Sequence, residues 1–179
     1  MKQLLKYVLP LLFVGLVACE KDSPADDKGE PKEPFYWSKI SCTINGEPWG
    51  DCFPGVFGPV PRVFGQRFTG SYIDFTGMEW CEKYDERNSY LYIKIADVSD
   101  TGTYYLNEDN KAIFYLTQGI EKEEYITQNI GTVRITRFED RVNHTLIDGT
   151  FAFTAYNADL KQSLHITEGK FENIRLDHF

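Results

Sequence analysis

The chain is expected to fold as an all-β domain, an antiparallel β-sandwich or a small closed barrel of about nine strands. Three observations predict this. Apolar residues recur at every second position, as a half-buried strand requires. Turn-forming residues interrupt that pattern roughly every 8–12 residues. Aromatic residues make up 15% of the 179 residues, with 13 Phe and 11 Tyr, enough to fill a sizeable core. No stretch after residue 35 has the spacing of a long amphipathic helix.

The strands follow in order. In WSKISCTI, Ile40, Cys42 and Ile44 alternate with Lys39, Ser41 and Thr43, which predicts a strand over 37–44 with Cys42 as a small buried hydrophobe. Asn45-Gly46 comes next. Both residues tolerate positive φ, so the pair predicts a tight hairpin into EPW. FTGSYIDFTG (68–77) and SYLYIKIADV (89–98) follow, the second setting Leu91, Ile93 and Ile95 against Tyr90, Tyr92 and Lys94. TGTYYL (101–106) and KAIFYLTQ (111–118) flank the polar turn NEDN. EEYITQ (123–128), GTVRITRF (131–138), TLIDGTFAFTAYN (145–157) and QSLHITEGKFENIRL (162–176) complete the set. In GTFAFTAYN, Phe151 and Phe153 should face the core, and Thr150, Ala152 and Thr154 should face away.

The N-terminus is built differently. Lys2 and Lys6 precede the apolar run Tyr7 to Val17, which Pro10 and Gly15 interrupt. The run falls short of the roughly 20 apolar residues that span a bilayer and reads as the hydrophobic region of a secretory signal. Leu16-Val17-Ala18-Cys19 resembles a bacterial lipobox. That resemblance implies removal of residues 1–18 and a lipidated Cys19 as the new N-terminus. Residues 20–34 (EKDSPADDKGEPKEP) hold six acids, three lysines and three prolines, with no aromatic or β-branched residue. Such a segment cannot bury enough surface to offset its ordering entropy, so 19–34 is expected to be a disordered tether. The acids from Glu20 also resemble the export signals of Bacteroidetes-type surface lipoproteins, which implies an outer-membrane protein facing outward. A periplasm-facing lipoprotein with a plain spacer is the alternative. Residues 35–179 then form a single β-domain.

The formal net charge is −8. It argues against a nucleic-acid partner, because phosphate binding needs clustered Lys and Arg. It also argues against electrostatic docking on anionic lipid, which leaves the lipid at Cys19 as the attachment to the membrane. With Cys19 acylated, Cys42, Cys52 and Cys81 remain. Cys52 and Cys81 lie in or beside loops and are the expected disulfide pair outside the cytoplasm, with two reduced cysteines as the alternative.

The chain assigns no catalytic residue, metal ligand or cofactor. His144, His165 and His178 are its 3 histidines, and none sits in a nucleophile motif. Zinc-ligand spacing and a glycine-rich phosphate loop are both lacking from the sequence. Glu79, Glu82, Asp85 and Glu86, beside Trp80, could place two carboxylates across a sugar. Interleaved Lys83 and Arg87 favour a solvated charged loop instead. Asp97, Asp100, Asn107 and Asp109 carry oxygens that suit calcium but lack the EF-hand pattern.

The strongest functional expectation falls on CFPGVFGPVPRVFGQRF (52–68). Prolines stiffen this loop and glycines turn it, so it can present Phe53, Phe57 and Phe64, with Trp80, as a contact surface for a glycan or a protein partner. The alternative is that the rings fold back as core at the end of the sandwich.

INGEPW (44–49), TGTYYL (101–106), GTVRITRF (131–138), GTFAFTAYN (149–157) and LHITEGKFENI (164–174) occur in that order after the lipobox. Together they resemble a family of Bacteroidetes-type lipoproteins of unassigned function, over most of 38–174. The likeness implies fold and location and carries no catalytic residue across. The expected function is a non-enzymatic binding module on a membrane-anchored lipoprotein. A structural envelope component, or a carboxylate-based glycoside hydrolase around Glu79 and Glu82, is the alternative.

Overall fold

Asn45 and Gly46 adopt φ of 50° and 91°, the left-handed values that their types permit. The turn pairs Ile44 with Glu47 and so joins β1 (Lys39–Ile44) to β2 (Glu47–Gly50). The computed structural model describes residues 38–50, 63–68, 72–79, 87–118 and 121–179. All of them belong to one compact unit, Tyr36–Phe179.

Eight further strands follow: β3 (Val63–Phe68), β4 (Tyr72–Glu79), β5 (Arg87–Ala96), β6 (Gly102–Tyr105), β7 (Lys111–Gln118), β8 (Glu121–Asp140), β9 (His144–Asn157) and β10 (Gln162–His178). The all-β expectation holds: the described residues form ten strands in one sheet. The count differs from the expected nine at three places. EPWG is a strand of its own, and VFGQRF, expected within the loop 52–68, is β3. In turn 123–128 and 131–138 run together as β8, passing through a register shift between Thr127 and Gly131. Asn129 and Gly131, with φ of 56° and 145°, absorb that irregularity within a continuous strand.

The pairings close on themselves. From β9 they run to β10, β3, β4, β5, β7 and β8, and β8 pairs β9 again. β1 and β2 extend from β10, and β6 extends from β8. Every pair is antiparallel except β10 with β3, which is parallel over Leu176–Gly65, Asp177–Gln66 and His178–Arg67. The sheet is antiparallel as expected, with this one parallel seam among the described strands.

Alternation puts one residue in two on the inner side, where the described buried apolar residues form one core cluster. Phe75 and Phe171 meet at its centre with ring centroids 4.9 Å apart. Phe151 and Phe153 are buried and Thr150 and Ala152 exposed, as the alternation requires. Trp49 of β2 packs edge-on to Phe114 and donates its indole N–H to the Ser89 hydroxyl at 2.7 Å, satisfying a polar group that burial would otherwise penalise. Cys42 is buried, as expected.

Candidate functional site

The outer side of the sheet takes the alternate residues, and on β4, β5 and β7 these are largely aromatic. Leu91, Ile93 and Ile95 are buried, so Tyr90, Tyr92 and Lys94 point outward from β5. Register then places their neighbours. Tyr115 of β7 lies opposite Tyr90, and Thr76 of β4 lies opposite Tyr92. Phe64 of β3 lies opposite Thr76, and Lys122 of β8 lies opposite Thr117 of β7. Thr76, Tyr90, Tyr92, Tyr115, Thr117 and Lys122 line an open groove of about 430 Å³.

Two lysines border the tyrosines. Lys122 Nζ stands 3.8 Å from the centre of the Tyr115 ring, and Lys94 Nζ stands 4.0 Å from that of Tyr72. Both are cation–π contacts between diagonal cross-strand neighbours. The Tyr92 and Tyr115 phenols are held as neutral hydroxyls. Burial pushes the Tyr92 phenol well above its ordinary range, and the Asp74 carboxylate beside it adds to the effect. Burial also raises Tyr115, with the Glu124 charge adding to it. Asp74 is itself raised by burial, against the opposing pull of Tyr92 and Lys94. The groove therefore presents ring faces, neutral hydroxyls and ammonium groups, a set that stacks on flat apolar faces and hydrogen-bonds polar rims.

Where β8, β9, β10 and β3 meet, a second polar cluster brings a hydroxyl, an imidazole and a carboxylate together. Arg67 Nη1 donates to Asp140 Oδ1 at 2.7 Å and to Thr145 Oγ1 at 2.9 Å. Thr145 donates to Asp140 Oδ1 at 3.0 Å, and His178 Nε2 lies 2.9 Å from Thr145 Oγ1. With its proton directed at Asp140, the hydroxyl accepts from both Arg67 and His178, which saturates it. A nucleophile would give its proton to the imidazole, with the carboxylate on the other ring nitrogen. Here Asp140 faces the same Nε2, at 3.4 Å, and Thr145 is fully buried. The cluster is a clasp, and its geometry does not support nucleophilic catalysis.

The remaining sequence candidates are dispersed. Phe64 is on the surface, 51% exposed, and shares the outer face with the tyrosines. Cys19, Cys52, Cys81, Phe53, Phe57, Trp80, Glu82, Asp85 and Glu86 lie outside the described residues. Glu79 ends β4. His144 is the buried first residue of β9, and exposed His165 has Nδ1 3.2 Å from Thr154 Oγ1. The oxygens of two calcium candidates serve their own turns. Asn107 Oδ1 accepts from the backbone N–H of Asp109 and Asn110, both at 2.8 Å, and Asp100 Oδ1 accepts from Thr101 N–H at 2.6 Å. Among the described residues, no group of three or more His, Cys, Asp or Glu is placed to hold a metal ion.

In the strand pattern Tyr90 and Tyr92 stand only as the polar counterpart of the buried row Leu91, Ile93 and Ile95, which does not mark them as a contact face. The available signal was that this counterpart is itself aromatic, in SYLYIKI and again in KAIFYL.

No curated protein and no solved structure matches the chain. Residues 85–175, which run from just before β5 to near the end of β10 and include most of the groove, match a family described as a domain of unknown function, DUF6252. That span is just over half of the 179 residues, and the chain belongs to this family.

Proposed function

We propose that this protein is a non-enzymatic glycan-binding module, held to the outer membrane by lipid at Cys19, with the tyrosine groove as its contact surface. One observation carries the reading: Tyr90, Tyr92, Tyr115 and Phe64 lie in adjacent register on one outward sheet face, around an open groove. Cross-strand pairing of such rings, as of Tyr90 with Tyr115, contributes only about 0.2–1 kcal/mol per pair to a sheet, and an aromatic face left open to solvent marks a contact surface. Tyrosine offers a sugar both an apolar plane and a hydroxyl at little entropic cost. Phe64 is the described member of the aromatic set expected from the sequence, and it joins this face.

The test separates binding from folding. Phe64→Ala should leave the unfolding midpoint within about 2 °C of the parent, since surface changes cost at most about 0.5 kcal/mol. The Tyr90→Ala/Tyr115→Ala pair should weaken retention on a panel of immobilised polysaccharides by at least about tenfold, the scale of a lost aromatic anchor. Unchanged retention in a folded Tyr90→Ala/Tyr115→Ala variant would sink the assignment of this face.

Anchoring rests on the lipobox-like LVAC stretch and the acidic tether after it. Cys19→Ser should abolish incorporation of labelled palmitate and move the protein from the membrane to the soluble fraction. Continued labelling in that variant would overturn the anchor. Two or more acyl chains are needed for stable attachment, so partial release is not expected.

A further inference from the structure

Beside the tyrosine groove, the sheet places two like charges face to face. Along one row, Gln66, Asp74, Lys94 and Lys111 lie directly opposite one another on β3, β4, β5 and β7. Lys94 and Lys111 are therefore cross-strand partners on the same outer face. Like charges in that position repel and weaken the ladder. Asp74, on the other side of Lys94, can offset only one of them. Lys94, Lys111 and Lys122 make no ion pair with any described carboxylate. Folding gains nothing from the Lys94–Lys111 arrangement, and an anion lying across the face would remove its cost.

The cations also have a spacing. Lys94 and the Asn88–Thr117–Lys122 row sit six residues apart along β5, which is about 20 Å of strand. Tyr90 and Tyr92 lie between them. A single small anion cannot reach both ends, whereas a polymer with regularly repeated negative charges can.

We propose that the groove takes an acidic polysaccharide, whose sugar rings lie on Tyr90, Tyr92 and Phe64 and whose carboxylate or sulfate groups are met by Lys94, Lys111 and Lys122. This rests on the glycan-binding reading and narrows it to charged glycans. Single-stranded nucleic acid also combines stacking faces with repeated charge. It is disfavoured because a site that tracks a phosphate backbone clusters Lys and Arg along its length, whereas this face groups its lysines at two ends and carries Asp74 and Glu124 besides.

The decisive measurement is native affinity electrophoresis of the whole chain carrying Cys19→Ser. The gels contain polygalacturonate, its methyl ester, chondroitin sulfate or oligo(dT). Retardation is expected with polygalacturonate or chondroitin sulfate: retardation by both assigns the carboxylate that they share, and retardation by chondroitin sulfate alone assigns its sulfate. The uncharged methyl ester should retard less. Lys94→Gln/Lys111→Gln should weaken the acidic interaction by roughly tenfold, about one charge-assisted hydrogen bond, and it should stay folded, because the relieved repulsion offsets the loss of the Lys94–Tyr72 contact. Equal retardation by the methyl ester, or an unchanged lysine variant, overturns the charge inference and leaves the glycan reading standing. No retardation by any of the three polysaccharides overturns both. Stronger retardation by oligo(dT) overturns it in favour of nucleic acid.

Discussion

Gly149→Ala is expected to destabilise the protein by about 3 kcal/mol, near the top of the usual range for overpacking. At this size that lowers the unfolding midpoint by roughly 10 °C. Gly149 lies opposite Ile135 of β8 on one side and Phe171 of β10 on the other. A methyl group there would run into the backbone carbonyl oxygen of Arg134 and the tip of the Phe171 ring, with Phe171 Cε2 at 2.9 Å. The carbonyl is fixed in the ladder and cannot swing away. The ring is held by Phe75 at 4.9 Å and by a stacked Phe151 at 6.4 Å.

The same device recurs in mirror order. Gly169 of β10 lies opposite Phe151 of β9, and an added methyl there would meet that ring and, at 2.5 Å, the Phe151 carbonyl oxygen. Each strand thus provides a glycine beneath the other strand's phenylalanine, so two large rings fit between closely paired backbones. Phe171→Leu added to Gly149→Ala should recover only part of the loss, because the clash with the Arg134 carbonyl remains. Gly46→Ala is the control. It has nothing within 4 Å and only its φ of 91° to strain, so about 1 kcal/mol is expected. Thermal unfolding followed by circular dichroism ranks the three. A Gly149→Ala midpoint at or above that of Gly46→Ala would overturn the packing account.

Those glycines mark where sequence reasoning works and where it stops. The alternation of Phe151 and Phe153 was visible in GTFAFTAYN, because side-chain direction in a strand has a period of two and needs no tertiary information. The partner of Gly149 was not visible, because register between β9 and β10 is set by two shifts, between Ile166 and Gly169 and between Phe171 and Ile174. Irregular φ of 53° at Glu168 and Asn173 accompanies those shifts, and neither is a glycine that would have signalled it. The Asn45-Gly46 hairpin was legible for the opposite reason, since both of its residues declare their backbone preference. VFGQRF lacks clean alternation because Gly65 stands at an inward position, where a Cβ would come within 2.5 Å of Leu176 Cδ2. A residue that is inward yet has no side chain hides a strand from any pattern search. The groove was hidden by topology: Phe64, Thr76, Tyr92 and Tyr115 come from four segments whose order in the sheet no local pattern specifies.

Arg67→Ala is expected to cost about 2 kcal/mol near neutral pH, and the loss should shrink in acid. The seam between β10 and β3, through which the strand ring closes, has three parallel pairs. Arg67 reinforces it from the side. Its guanidinium bonds Asp140 and Thr145 and lies 5.2 Å from the centre of the Phe138 ring, so one side chain on β3 reaches the ends of both β8 and β9. Removing it leaves the fully buried Thr145 hydroxyl short of a donor and strips packing from Phe138. The ion pair itself contributes modestly, because the Asp140 side chain is 54% exposed and water screens it. Arg67, by hydrogen bonding first of all, holds the Asp140 carboxyl below its ordinary value, and Thr145 adds to this. A carboxylate depressed on folding stabilises above its unfolded pKa, and that contribution is lost as pH falls through the folded value. The parent should therefore lead the variant by most above about pH 5 and by less below the ordinary carboxylate range, near pH 4. Urea unfolding of both proteins across pH 7 to 3 reads the difference directly. A gap that stays constant over that range would mean that Arg67 works through Phe138 and Thr145 alone, with no part for the carboxylate in holding the ring closed.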